Sequence, residues 1–338
     1  MRYLSDTLLG FALLLASTLA AQAQVGMQRI SNVADANGNS PADLIWYPTA
    51  ETSKSQRFGP YELEVAPGAI PSTGRHPLVV ISHGAAGSEM GHAWLAQRLV
   101  LEGYIVASVR HPGDNFQDHS TAGRPEYFSA RPAHVSAVLD RILADSRWAP
   151  LVDEARIAAI GHSAGGYTVL ALAGARPDLS RALAHCSAAG NGLREDTVFC
   201  GQGGFNAERP APVDAARSQA IADYRDRRIR AVIADAPLAV VFDPASLSTV
   251  TVPVLIEYGG ADVVLVPRFH AETLCAAIPR VTCVRSASAG HFALMQRGAG
   301  RLGPPGNDPS EDPPGFDRVA WQAQVWLRMR DFLAKALS

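Results

Sequence analysis

An α/β fold, with a mostly parallel sheet flanked by helices, is what this sequence predicts, and three observations carry it. Runs such as "HPLVVISHG", "RIAAIG" and "VPVLIEYGG" are too continuously apolar for a strand with one wet face, so they belong in a sheet covered on both sides. These runs alternate with stretches of helical period, which puts helices on the two faces. The 338 residues are 47% hydrophobic and 18% charged, enough for one large buried core and unlike a disordered chain.

The first two dozen residues stand apart. Arg2, an apolar stretch from Leu8 to about Leu19 and the small-residue end Ala21-Gln22-Ala23 form the three-part pattern of a secretory leader, residues 1–23. Cleavage is expected after Ala23, leaving 24–338 as one exported domain, periplasmic or secreted. The apolar part is short for a membrane anchor and no later segment is longer, so no stable membrane insertion is expected. In an oxidising compartment the four cysteines read as two disulfides, and proximity favours Cys186–Cys200 and Cys275–Cys283 among three pairings. A net charge of −2 without long basic runs argues against nucleic acid as a partner.

The elements follow in order. "DLIWYP" and "YELEVAP" read as short edge strands, and "HPLVVISHG" as the first covered one. Residues 92–102 space Trp94, Leu95, Leu99 and Val100 as a helix that Gly103 can stop. Strand "YIVASV", a polar loop from Arg110 to Tyr127 and helix "HVSAVLDRILADS" come next, the helix presenting Val135, Leu139 and Ile142 on one face. "RIAAIG" leads into a glycine-rich turn and a further helix. "IRAVIADAP", "VPVLIEYGG" and "VTCVRSAS" read as three more buried strands, the last two separated by a helix around Phe269–Ala277. An amphipathic helix from about Asp317 closes the chain, with Val319, Trp326, Phe332 and Leu333 among its apolar positions. Residues 185–228 lack period and are predicted to form a lid or cap insertion over the sheet's carboxyl edge, with a short helix near Ala215–Tyr224. Residues 298–316 form a second Pro/Gly-rich loop.

The turn "GHSAGG" (161–166) raises the chemical question. Ser163 could simply cap the helix that follows. Alternatively, G-x-S-x-G between a buried strand and a helix marks a strained turn that presents a serine as a nucleophile. A serine needs a base, and the base an orienting acid. Both follow later strands in the order Ser, Asp, His: Asp262 in "GGADVVLVP" and His291 in "AGHFALM". Asp235, at the end of "VIADAP", is a rival acid. The developing oxyanion needs two backbone donors. Ala164 N–H, at the helix start, is one, and Ala85 N–H in "HGAAG" is the other. His83 and His162 are expected to pack around the turn. His111, His119 and His134 lack metal-ligand spacing, so no metal is expected, and "HPGDN" (111–115) is read as shaping the site's rim, with Asp114 in a turn.

Taken together, "SHGAAG", "LVLEGYIVASVRHPGDN", "GHSAGGYTVL", "FDPASL", "AGHFALM" and "DPPGFDR" resemble the bacterial dienelactone-hydrolase-like group of α/β-hydrolases, itself similar to the platelet-activating-factor acetylhydrolases. The resemblance runs from about residue 40 to the C-terminus. It implies the α/β-hydrolase fold, Ser163 as nucleophile, His291 as base and oxyanion donors at Ala85 and Ala164. Acetylhydrolase relatives keep the acid at the position of Asp235; many dienelactone-like, secreted lipase and cutinase relatives keep it at that of Asp262. True dienelactone hydrolases use cysteine where this chain has Ser163, which favours general ester hydrolysis. The expectation is an exported serine esterase acting on small-molecule esters with no cofactor. Lipase, phospholipase and polyester hydrolase are the alternatives, then peptidase or amidase, then a binding protein on a retained fold. The polar residues of the insertion (Arg194, Glu195, Asp196, Arg209, Arg217) weigh against an interfacial lipase, while Phe199 and Phe205 are candidates to line a pocket.

Overall fold

A computed structural model describes residues 23–30, 42–122, 124–202, 222–303 and 308–338. Residues 1–22 of the expected leader and 203–221 of the expected insertion lie outside the described residues, as do Phe205 and most of the helix expected near Ala215–Tyr224.

Ten described strands form one sheet: β1 (Gln24–Ile30), β2 (Asp43–Thr49), β3 (Lys54–Phe58), β4 (Tyr61–Pro67), β5 (His76–Ser82), β6 (Ile105–Ser108), β7 (Val152–His162), β8 (Ile229–Asp235), β9 (Val254–Gly259) and β10 (Val281–Ser286). Their order is β10-β9-β8-β7-β5-β6-β2-β1-β4-β3. The strands from β10 to β6 run parallel, and β2 joins β6 antiparallel. β1 and β3, whose short and partly polar sequences carry little strand signal, extend that side of the sheet, β1 pairing antiparallel with β2 and parallel with β4, and β3 antiparallel with β4.

Side-chain alternation along the parallel strands builds two cores. Leu78, Val80, Ala159, Val232 and Ile256 face one layer, with α2 (Glu126–Ala144) and α3 (Ala164–Leu172). Val79, Ile81, Ala158, Ile233 and Leu255 face the other, with α1 (Ala93–Leu101) and the C-terminal helix Arg318–Ala336. Three expectations change. β10 is an edge strand with half-exposed and exposed positions, because among the described residues only β9 pairs with it. Val319 is 63% exposed, since the buried stripe of its helix runs through Arg318, Trp321, Val325, Met329 and Leu333. α2 starts at Glu126, two turns before the expected helix, and contains Pro132. Pro132 cannot donate to the Phe128 carbonyl four residues back. The Tyr167 hydroxyl of α3 donates to that carbonyl instead, at 2.9 Å, so the helix continues through the proline.

Cys186 is bonded to Cys200 and Cys275 to Cys283, the pairing expected from proximity. The described part of the 185–228 segment contains helices but no strand. Its end at 222–226 is not helical.

Candidate active site

β5, β7 and β8 end level with one another: Gly161 sits opposite Ser82 on one side and Ala234 on the other, and His162 opposite Asp235. Ser163 follows with φ 57° and ψ −117°, a left-handed conformation that L-residues adopt at a cost. Three glycines make the turn sterically possible. A Cβ on Gly161 would lie 2.0 Å from the Gly165 carbonyl oxygen, one on Gly165 1.9 Å from that of Ser82, and one on Gly166 2.7 Å from Pro237 Cβ. Backbone bonds hold the serine from both sides: its N–H donates to the Asp235 carbonyl at 2.9 Å, and its carbonyl accepts from Leu238 N–H at 3.0 Å. The side chain makes no cap bond to α3, so capping does not explain Ser163.

Ser163 Oγ lies 2.9 Å from His291 Nε2, and His291 Nδ1 lies 2.8 Å from Asp262 Oδ2. The other carboxylate oxygen of Asp262 accepts from the N–H groups of Val264 and Leu265 at 2.8 and 2.9 Å. An oxygen facing Nδ1 places the imidazole proton there and leaves the Nε2 lone pair toward the serine. The His291 carbonyl accepts from His162 Nε2 at 2.8 Å, fixing the loop that carries His291.

Asp235 takes another part. Its carboxyl comes no nearer than 4.0 Å to His162 Nε2. Burial, with Glu257 and Asp262 nearby, pushes its pKa well above the ordinary carboxylate range. Its side chain is buried, and its backbone carbonyl holds the serine turn.

Ala164 is the first residue of α3, where N–H groups lack intrahelical partners, and Ala85 lines the cavity beside Ser163. One buried guanidinium ties these two regions together, and the sequence reading did not single it out. Arg131 of α2 pairs with Asp114 and donates to the His83 carbonyl, and its Nε donates to Thr168 Oγ1 at 3.0 Å. Thr168 Oγ1 in turn donates to the Ala164 carbonyl at 2.9 Å. Asp114 accepts the Ala86 N–H at 2.8 Å, in a loop where Ala86 has φ 56°. Asp114 is therefore a buried brace rather than a rim residue.

His83 and His162 pack around the turn as expected. His83 Nδ1 lies 2.7 Å from the Gly84 carbonyl oxygen, and its Nε2 accepts from His111 N–H at 3.2 Å. Burial, reinforced by Arg131, lowers His83 and His111 well below the usual histidine range. Phe199 is buried and packs on His270, so it does not line the cavity. Asp196 accounts for this placement: it takes His185 Nε2 and His270 Nε2 at 2.9 Å each, and Val266 N–H at 3.2 Å. The described insertion thus braces the loop that carries Asp262. The cavity in front of Ser163 measures about 460 Å³ and is walled largely by apolar side chains, among them Tyr61, Phe116, Phe292 and Met295.

In structure the chain is similar to the ferulic acid esterase from Streptomyces cinnamoneus, with a TM-score of 0.61 and 18% identity over 94% of this chain and 91% of the other. The chain has the α/β-hydrolase fold. This chain matches the model of the prolyl oligopeptidase family over residues 91–197, the stretch from just before α1 into the insertion. It is 33% identical over 107 residues to the cutinase est2 of Thermobifida alba, covering 31% of this chain and 32% of that one. It is 30% identical over 112 residues to the bis(hydroxyethyl) terephthalate hydrolase of Streptomyces coelicolor, covering 33% of each. The match spans about a third of these relatives' length. No helix among the described residues is long and apolar enough to cross a membrane.

Proposed function

We propose that this α/β-hydrolase is an exported serine esterase that cleaves carboxylic esters through an acyl-enzyme, with Ser163 as nucleophile, His291 as base and Asp262 as the orienting acid. The observation that carries the reading is the continuous relay from Asp262 through His291 to Ser163, at 2.8 and 2.9 Å, ending on a strained turn that opens into a cavity. Ser163 Oγ attacks the ester carbonyl while His291 Nε2 takes its proton. The oxyanion forms against the N–H groups of Ala164 and Ala85, held before reaction by α3 and by the Arg131–Asp114 brace. His291 then gives the proton to the leaving alcohol and activates the water that releases the acid. No cofactor enters these steps.

The names of the relatives support esters as the bond cleaved: cutinases, a terephthalate-ester hydrolase and a ferulic acid esterase. Polyesters are accordingly the first alternative substrate. Export is supported by the leader pattern of residues 1–23, by the two disulfides, and by β1 starting at Gln24, so that cleavage after Ala23 leaves the sheet whole.

The test pairs a fluorophosphonate probe with p-nitrophenyl esters of increasing acyl length. The expected result is labelling and hydrolysis by the parent chain, with both absent in Ser163→Ala. Equal labelling of the two would remove Ser163 as the nucleophile. Labelling without hydrolysis of any ester would shift the reading to amides and peptides, in line with the prolyl oligopeptidase match.

A further inference from the structure

The insertion carries a buried polar cluster that takes no part in the proposed chemistry. Asp196, between the short helices Gly192–Glu195 and Thr197–Gln202, is fully buried. Its Oδ2 accepts from His185 Nε2 and His270 Nε2 at 2.9 Å each, and its Oδ1 accepts from Val266 N–H at 3.2 Å. His270 Nδ1 accepts from Ala239 N–H at 3.1 Å, which leaves the ring proton at Nε2 and aims it at the carboxylate. Phe199 packs edge-on against the His270 ring and Phe269 against that of His185.

Two paths of hydrogen bonds lead from this cluster to the triad. In the acid's loop, two carboxylates divide three successive N–H groups: Val264 and Leu265 donate to Asp262, and Val266 donates to Asp196. The turn that orients Asp262 is therefore pinned from the insertion at its next residue. On the other path, Ala239 follows Leu238, whose N–H donates to the Ser163 carbonyl at 3.0 Å. His270 thus ties the far end of the acid's loop to the segment that holds the serine turn. Asp196 is itself fixed. Its N–H donates to the Gly192 carbonyl at 2.9 Å, its carbonyl accepts from Cys200 N–H at 3.0 Å, and Cys200 is bonded to Cys186, the neighbour of His185. Burial works against the Asp196 carboxylate, but the bonds from His270, His185 and Val266 outweigh it and hold its pKa below the ordinary value.

We propose that Asp196 is a positioning residue for the triad: together with His270 it fixes the span between Asp262 and the Ser163 turn. The inference rests on the Ser163–His291–Asp262 reading and adds a residue that acts through it. The relay to the nucleophile consists of two bonds of 2.8 and 2.9 Å, and such bonds weaken steeply when either end shifts. An acid loop freed from Asp196 can carry its carboxylate away from His291 Nδ1 while the sheet stays as it is. None of Asp196, His185 and His270 lines the cavity, so the effect falls on the chemical step and not on substrate binding.

Two measurements on the full chain test this: the second-order rate at which a fluorophosphonate labels Ser163, and kcat and KM on p-nitrophenyl butyrate. Asp196→Asn is the first variant, because an amide can satisfy the Val266 N–H or the two histidine N–H groups but not both sides. The labelling rate and kcat should fall roughly tenfold to a hundredfold with KM within about threefold of the parent. On an Asp262→Asn background the same change should alter the remaining rates by less than about twofold, since no competent acid is left to place. A merely structural role would repeat its loss there. His270→Asn can still accept from Ala239 but is too short to reach Asp196; it should show the same pattern, which keeps the test decisive if Asp196→Asn does not fold. Circular dichroism at the assay temperature reads folding. Folded variants with the parent's rates, a loss carried by KM alone, or a loss that repeats in full on the Asp262→Asn background overturns the proposal. Labelling of Ser163 without hydrolysis of the ester would fail the ester reading alone, because the labelling rates still report the position of the acid.

Discussion

Asp262→Asn should nearly abolish activity, while Asp235→Asn should leave it within a few-fold of the parent. The bonds around Asp262 explain why so small a change matters. Its Oδ1 accepts from two backbone N–H groups, Val264 and Leu265, and only an oxygen can stay there. The amide nitrogen of an asparagine must then take the Oδ2 position, 2.8 Å from His291 Nδ1, and point an N–H at it. Nδ1 becomes the acceptor, the ring proton moves to Nε2, and Nε2 now donates to Ser163 instead of taking its proton. The equivalent change in a serine-protease triad lowers kcat about 10⁴-fold, or about 5.5 kcal/mol of barrier. Asp235 is different because burial favours the protonated form of its carboxyl, to which asparagine is close to an isostere. The sign of its pH effect follows. A folded-state pKa raised above the unfolded value means stability is lost as pH climbs past the ordinary carboxylate range, and Asp235→Asn should flatten that loss. Initial rates on a p-nitrophenyl ester, with urea midpoints at several pH values, read both. A dead Asp235→Asn beside an Asp262→Asn that retains more than a tenth of the activity would refute the reasoning and move the acid to β8.

Three further predictions follow from the packing. Arg131→Met strands the Asp114 carboxylate in the core and should cost about 3–5 kcal/mol of stability in urea unfolding. With the His83–Ala86 loop loosened from α3, kcat should fall by up to about 10²-fold to 10³-fold; a loss of stability under about 1 kcal/mol would contradict the buried brace. Burial lowers His92 to about 4 in the fold against 6.5 when free, so its own contribution to stability is complete above pH 6.5 and is lost as pH falls toward 4. That single residue accounts for about 3 kcal/mol, with His83, His111 and His162 acting in the same direction. The stability difference between the parent and His92→Leu in urea should change as pH falls through this range; a difference that stayed constant with pH would exclude it. Opening the Cys186–Cys200 bridge, a sequence separation of 14, by double substitution to alanine should remove about 3 kcal/mol, measured by thermal unfolding.

Much of this protein could be read locally. The sheet's parallel part is visible because a strand covered on both faces is apolar along most of its length, as Leu78–Ile81 of β5 and Val254–Ile256 of β9 are. The serine turn is visible because only glycines permit the close approaches at Gly161 and Gly165. The cysteine pairing followed from short separations. By contrast, α2 was placed too late, since Pro132 breaks a local rule that Tyr167, distant in sequence, repairs. Arg131 carried no motif, and Asp114 read only as a turn residue at the site's rim. Phe199 looked like a pocket residue until Asp196 drew its segment onto the His270 loop.

What the sequence by itself determined is therefore the set of parts: a covered parallel sheet, a strained serine turn, and an aspartate and a histidine delivered by loops after later strands. It could not choose between Asp235 and Asp262, because both follow the carboxyl end of a strand. Tertiary structure brings only one of them, Asp262, within hydrogen-bond distance of the His291 ring among the described residues. Asp235 is the last residue of β8, where pairing with β7 fixes its backbone against Ser163 and keeps its carboxyl away from His291, while the turn after β9 delivers Asp262 to the imidazole. Hydrogen bonds act over about 3 Å, and which groups come that close depends on strand register and loop path, which residue type alone does not encode.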